Sequence, residues 1–91
     1  MPRNEQGFTL CRLKTGRLVR GPVFEGEPTS LRMPVACPAG AAPVGTYHTH
    51  PSGDAEPSQQ DMDSTRAAGL RFVCVGVPEK GTVRCFDVTQ A

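Results

Sequence analysis

Apolar positions in this chain fall in short runs separated by turn residues, and one segment alone has the spacing and ends of a helix. Residues 7–13 (GFTLCRL) and 17–24 (RLVRGPVF) read as strands. Lys14-Thr15-Gly16 between them is a hairpin connection with glycine at its end. Pro22 has no N–H to give a ladder, so it confines the second strand to an edge or ends its pairing. After a polar loop over 25–29, a third strand is expected over 30–36 (SLRMPVA), broken by Pro34. A small-residue loop over 37–43 leads to a fourth strand over 44–50 (VGTYHTH).

The helix is expected over 58–69. Ser58 is an N-cap residue and Asp61 stands at the third helical position, close to a capping box with Asp in place of Glu or Gln. Asp61 and Asp63 suit the positive N-terminal end, Ala67 and Ala68 favour helix, and Gly69 is a natural stop. Residues 70–77 and 82–88 then form two strands around the turn Pro78-Glu79-Lys80-Gly81. Four strands, one helix and two strands make a single α+β domain over 1–91. Its architecture is an α/β sandwich built on a small mixed sheet.

Composition narrows this further. Ten Gly and nine Pro among 91 residues, with no Trp, exclude a long helical bundle and leave a modest aliphatic core. The net charge is +1, so no strong field draws in nucleic acid or an anionic membrane. Residues 48–91 hold six acidic and four basic side chains, against three and six in residues 1–47. No apolar run reaches the length of a membrane span, and the N-terminal residues do not read as a signal peptide. A cytoplasmic location is the expectation.

Four cysteines stand at 11, 37, 74 and 85, without a Cys-x-x-Cys pair for a zinc knuckle. Cys11, Cys74 and Cys85 lie in strand-like runs and read first as small buried hydrophobes. A tight hairpin over 70–88 would set Cys74 almost opposite Cys85. A cross-strand disulfide is then geometrically open, although a reducing cytoplasm argues against it.

The candidate chemistry lies in residues 48–61. His48 and His50 are two apart on a strand, so both imidazoles point to one face. Seven residues separate His50 from Ser58, and three positions beyond Ser58 comes Asp61. Two His and one carboxylate form the three-ligand shell of a catalytic zinc, with a fourth position left for water. Each fragment alone has a commonplace reading, an incidental histidine pair and a helix cap. Their conjunction carries more weight, because these are the chain's two histidines and both fall in the motif.

His48-Thr49-His50-Pro51-Ser52-Gly53 followed by Pro57-Ser58-Gln59-Gln60-Asp61 resembles the JAMM (JAB/MPN) metalloenzyme motif. The same stretch is similar to the RadC family, but residues 71–88 do not match that family's usual continuation. The JAMM resemblance implies a cytidine-deaminase-like fold and one zinc ion per chain, held by His48, His50 and Asp61. It also implies a catalytic Glu followed by Gly and an apolar strand. Glu5-Gln6-Gly7-Phe8 fits that pattern, whereas Glu25 and Glu27 lack the strand. Family domains place a strand and a helix ahead of this Glu, so an N-terminally shortened version is expected here.

The activity that the resemblance implies is that of a zinc-dependent peptidase or isopeptidase. Glu5 would act as general base and then general acid, and Ser58 would hydrogen-bond the oxyanion. The implied substrate is an amide or isopeptide bond after the C-terminal tail of a ubiquitin-like or sulfur-carrier protein. Two other readings stand beside it: a hydrolase of the same fold acting on a cell-wall peptide or phage-tail-associated target, and a non-catalytic binding module. Thr46 and Asp54 are candidate partners for the histidine ring nitrogens, and Asp63 should face away from the site.

Overall fold

The structure is a computed structural model, and it describes residues 4–27, 33–51 and 55–89. Its strands are β1 (Gln6–Leu13), β2 (Leu18–Arg20), β3 (Phe24–Glu25), β4 (Ala41–Thr49), β5 (Phe72–Val77) and β6 (Thr82–Asp87), with one α-helix, α1 (Gln59–Ala67), between β4 and β5. The sheet order is β2-β1-β4-β5-β6, and β3 pairs with β1 beyond the end of β2. β4 and β5 run parallel and the other pairs antiparallel, so the sheet is mixed and α1 is its crossover. This is the expected α+β architecture.

Local chemistry accounts for most element ends. The first hairpin closes through Leu13 N–H to Arg17 C=O and Gly16 N–H to Leu13 C=O, with Gly16 at φ +91°. Gly81, at φ +64°, plays the same part after the 3-10 turn Pro78–Lys80. Both positions favour a residue without Cβ. Pro22 splits the second predicted strand, and what lies beyond it is β3.

The third strand differs from expectation. Residues 28–32 lie outside the described residues, and 33–36 join no ladder. Pro34 cannot donate, and the chain here is held by a side chain instead: Ala36 N–H donates to Thr9 Oγ1 at 3.0 Å.

The cysteine expectation is also corrected. Both disulfides are formed, Cys74–Cys85 and Cys11–Cys37. The β5–β6 register sets Cys74 directly opposite Cys85, and Cys85 is exposed rather than buried. The second bridge has no counterpart among the expectations; it ties the segment running over β1 to the core, where Cys11 is fully buried.

The core lies mainly between the sheet and α1. Val73, Val75 and Val77 are 1% exposed or less. The register places Val73 beside Thr46 and Val75 beside His48, on the face that α1 covers. On the other face Phe8 stacks on Tyr47 with ring centroids 4.7 Å apart. Tyr47 lies over Gly76, where a Cβ would collide with its phenol ring. Among the described residues, no helix is long and apolar enough to cross a membrane.

Candidate metal centre

The two histidines owe their setting to β4. His48 is its penultimate residue and is 7% exposed, while His50 follows the strand end. The backbone N–H of His50 donates to Gly76 C=O at 2.8 Å, which holds the chain against β5 one step past the ladder. Both rings point to the α1 face, and their Nε2 atoms lie 3.1 Å apart.

The helix delivers Asp61. Ser58 is the N-cap, and the expected capping box is complete. Ser58 Oγ accepts from Asp61 N–H at 3.0 Å, and Ser58 N–H donates to Asp61 Oδ2 at 2.9 Å. The cap therefore fixes the rotamer of Asp61 as well as the start of the helix. The same Oδ2 lies 3.1 Å from His48 Nε2 and 3.9 Å from His50 Nε2. Asp63 faces away, as expected, and pairs with Arg66 at 3.1 Å.

Glu5 arrives from a third direction. The register that pairs Gly7 with His48 and Phe8 with Tyr47 sets Glu5 opposite His50 when carried two residues on. Its backbone is tied on both sides to the chain beyond β3: Glu5 N–H donates to Glu27 C=O at 2.9 Å, and Gly26 N–H donates to Glu5 C=O at 2.8 Å. Glu5 is thus 7% exposed although it stands near the first described residue. Its carboxylate and the two imidazoles offer ligand atoms that all lie within 4.8 Å of one another. Glu25 and Glu27, the alternatives, are exposed.

The electrostatics separate the two acids. Burial pushes the Glu5 carboxyl above its ordinary 4.5, against the pull of His48 and His50. Burial acts on Asp61 in the same sense but loses. Hydrogen bonds from His48 and the Ser58 backbone, the His48 charge and the Ser58 side chain bring it to about 2. The two carboxyls of the site are thus shifted in opposite directions, Glu5 up and Asp61 down.

The donor set fits a tetrahedral zinc. Ligand atoms about 2.0–2.1 Å from such an ion lie about 3.3 Å from one another. The three separations among His48 Nε2, His50 Nε2 and Asp61 Oδ2 are 3.1, 3.1 and 3.9 Å. Two imidazoles and a carboxylate suit zinc by donor type as well.

Thr46 does not contact a histidine ring nitrogen; its hydroxyl meets Thr65 Oγ1 at 3.3 Å. Asp54 lies outside the described residues. Sequence reasoning does not single out Thr65. Its position four residues after Asp61, on the same face of the helix, is the signal that marks it.

A family model described as prokaryotic homologs of the JAB domain matches residues 3–89. No curated protein matches the chain. Among solved structures, a JAB1/MPN domain protein from Archaeoglobus fulgidus superimposes with a TM-score of 0.58 at 21% identity, over 93% of this chain and 71% of that one. At that identity the likeness speaks for the fold, and it agrees with the mixed sheet and single helix described for this chain. The match of nearly the whole chain to the family model places it: this protein belongs to the prokaryotic JAB-domain family.

Proposed function

We propose that this chain is a zinc-dependent peptidase or isopeptidase that cleaves an amide or isopeptide bond after the C-terminal tail of a ubiquitin-like or sulfur-carrier protein. The observation that carries the reading is convergence. Glu5, His48 and His50 gather from the starts and ends of β1 and β4, and Asp61 joins the histidines from α1. The donor spacing suits one metal ion with a carboxyl base beside it.

In this reading His48, His50 and Asp61 hold the ion. Zinc in such a shell supplies an acidified water and polarises a carbonyl. Asp61, with its pKa depressed to about 2, remains an anionic ligand throughout the working pH range. Glu5 takes the proton of the attacking water on its carboxylate and returns it to the leaving amine. Its raised pKa strengthens it as a base, and its burial keeps competing water away. The Ser58 oxygen accepts from Asp61 N–H, while its hydroxyl proton bonds the Asp61 carboxylate in the resting site and turns to the oxyanion during the reaction. The cap bond is kept while the proton changes partner.

The reaction needs neither nucleic acid nor a membrane surface, in line with the charge balance. The test is incubation of the zinc-loaded protein with ubiquitin-like and sulfur-carrier proteins bearing C-terminal extensions. Release of the extension, abolished by a chelator and restored by zinc, is the expected result. Zinc-replete protein that cleaves none of them would remove the proposed substrate class.

A further inference from the structure

We propose that Thr65 and Thr46 are positioning residues that set the separation between the histidine strand and the helix carrying Asp61, an inference that rests on the metal-site reading. Thr65 lies within α1, is 4% exposed and is the buried residue of that helix. Its Oγ1 donates to the Asp61 carbonyl at 2.8 Å and lies 3.3 Å from Thr46 Oγ1.

A hydroxyl has one proton. Thr65 commits its proton to the Asp61 carbonyl, so Thr46 is the donor in the second bond and Thr65 the acceptor. The two bonds form a directed line from the β4 side chain, through Thr65, to the backbone of Asp61. Thr46 stands two residues before His48 on the same face, and Thr65 stands one turn after Asp61. The line therefore spans the same strand-to-helix gap as the His48–Asp61 contact, one step deeper in the core.

A threonine bonded to the carbonyl four residues back is common in helices and is usually a local matter. The partner on β4 makes this one different, because it couples the helix backbone at a candidate ligand to the strand that carries the other two. Valine has the same branched shape but can make neither bond. The choice of threonine therefore concerns hydrogen bonding and not packing.

The test uses Thr65→Val, which removes both bonds, Thr46→Val, which removes the bond from the strand, and Thr65→Ser, which keeps the hydroxyl. Zinc affinity of the metal-free protein is measured by competition with a chromophoric chelator, alongside the cobalt(II) absorption spectrum and the thermal midpoint without metal. Thr46→Val is expected to bind zinc roughly fivefold more weakly and Thr65→Val roughly thirtyfold, the losses that one and two neutral hydrogen bonds produce. Each should also show a shifted cobalt spectrum, and Thr65→Ser should restore both signals. Unchanged zinc affinity and cobalt spectrum in both valine variants, whatever the thermal midpoint does, would overturn the positioning role while leaving the metal site intact. Failure of the unmutated protein to bind zinc would overturn the metal reading and this inference with it. If Thr65→Val does not fold, Thr46→Val decides the matter, since Thr65 then keeps its bond to Asp61.

Discussion

His48 Nε2 and Asp61 Oδ2 lie 3.1 Å apart across thirteen residues of chain, the first on a buried side chain near the end of β4 and the second in the first turn of a helix. Without a metal this contact is a hydrogen bond that the His48 ring N–H donates to the Asp61 carboxylate. With one, both atoms become ligands, and the strand and helix are joined through the ion.

Zinc should therefore act as a staple for the fold. At free zinc about 100 times its dissociation constant, binding adds about 2.7 kcal/mol of stability. For a domain of this size that raises the thermal midpoint by roughly 10–20 °C. A chelator should reverse the rise, and His48→Ala should show no zinc-dependent rise. Differential scanning fluorimetry with and without zinc measures both.

Ser58 has two roles that substitution can separate. Ser58→Ala should lose the cap, at about 1 kcal/mol, and also the hydroxyl. Ser58→Gly also removes the hydroxyl but costs the helix start only a few tenths of a kcal/mol, so its stability should stay near that of the unmutated protein. If the hydroxyl serves the oxyanion, both variants should lose about 10²–10³-fold in kcat. Activity retained in Ser58→Gly would assign Ser58 to capping alone.

The pH dependence of stability without metal should be two-sided. Asp61 is held at about 2 in the fold against an ordinary 3.8, so its contribution is present above pH 3.8 and is lost as pH falls toward 2. For a side chain 31% exposed, this amounts to about 1–2 kcal/mol. Glu5 is shifted the other way, so stability falls as pH rises through 4.5 toward its raised value. Urea unfolding from pH 2 to 7 should show Asp61→Asn abolishing much of the acid-side loss and Glu5→Gln the loss above pH 4.5.

The disulfides should contribute unequally. Loops of 26 and 11 residues correspond, by loop entropy, to about 3.5 kcal/mol for Cys11–Cys37 and about 2.8 kcal/mol for Cys74–Cys85. No free thiol should react in the oxidised, denatured protein. The Cys11→Ser/Cys37→Ser pair should lower the midpoint more than Cys74→Ser/Cys85→Ser, measured without reductant. Four free thiols would instead fit the cytoplasmic expectation, since that compartment keeps cysteines reduced.

How much of the fold and site is legible in the sequence depends on the distance between the residues concerned. Ser58 and Asp61 are three apart, and the capping box follows from residue type and spacing, as the structure bears out. His48 and His50 share a face by strand alternation alone. Cys74 opposite Cys85 requires only the hairpin register, yet a reducing cytoplasm argues against the bond. Cys11–Cys37 is beyond reach, because it depends on where an unpaired segment crosses β1. That segment has the pattern of a strand, since the apolar residues around Pro34 suit a ladder that is not formed over 33–36. Glu5 is reached through resemblance. Its physical seating, a register placing it opposite His50 and two backbone bonds to residues 26 and 27, is tertiary and carries no local signal.

Proton transfer by Glu5 in a zinc-dependent cleavage is decided by comparing the zinc-loaded protein with zinc-loaded Glu5→Gln on one ubiquitin-like protein carrying a C-terminal extension. The unmutated protein should cleave at the extension, and Glu5→Gln should lose about 10²–10⁴-fold in kcat, the usual range for general acid–base catalysis, with bound zinc unchanged. Equal cleavage by the two proteins, or none by the unmutated protein with its zinc in place, would contradict it.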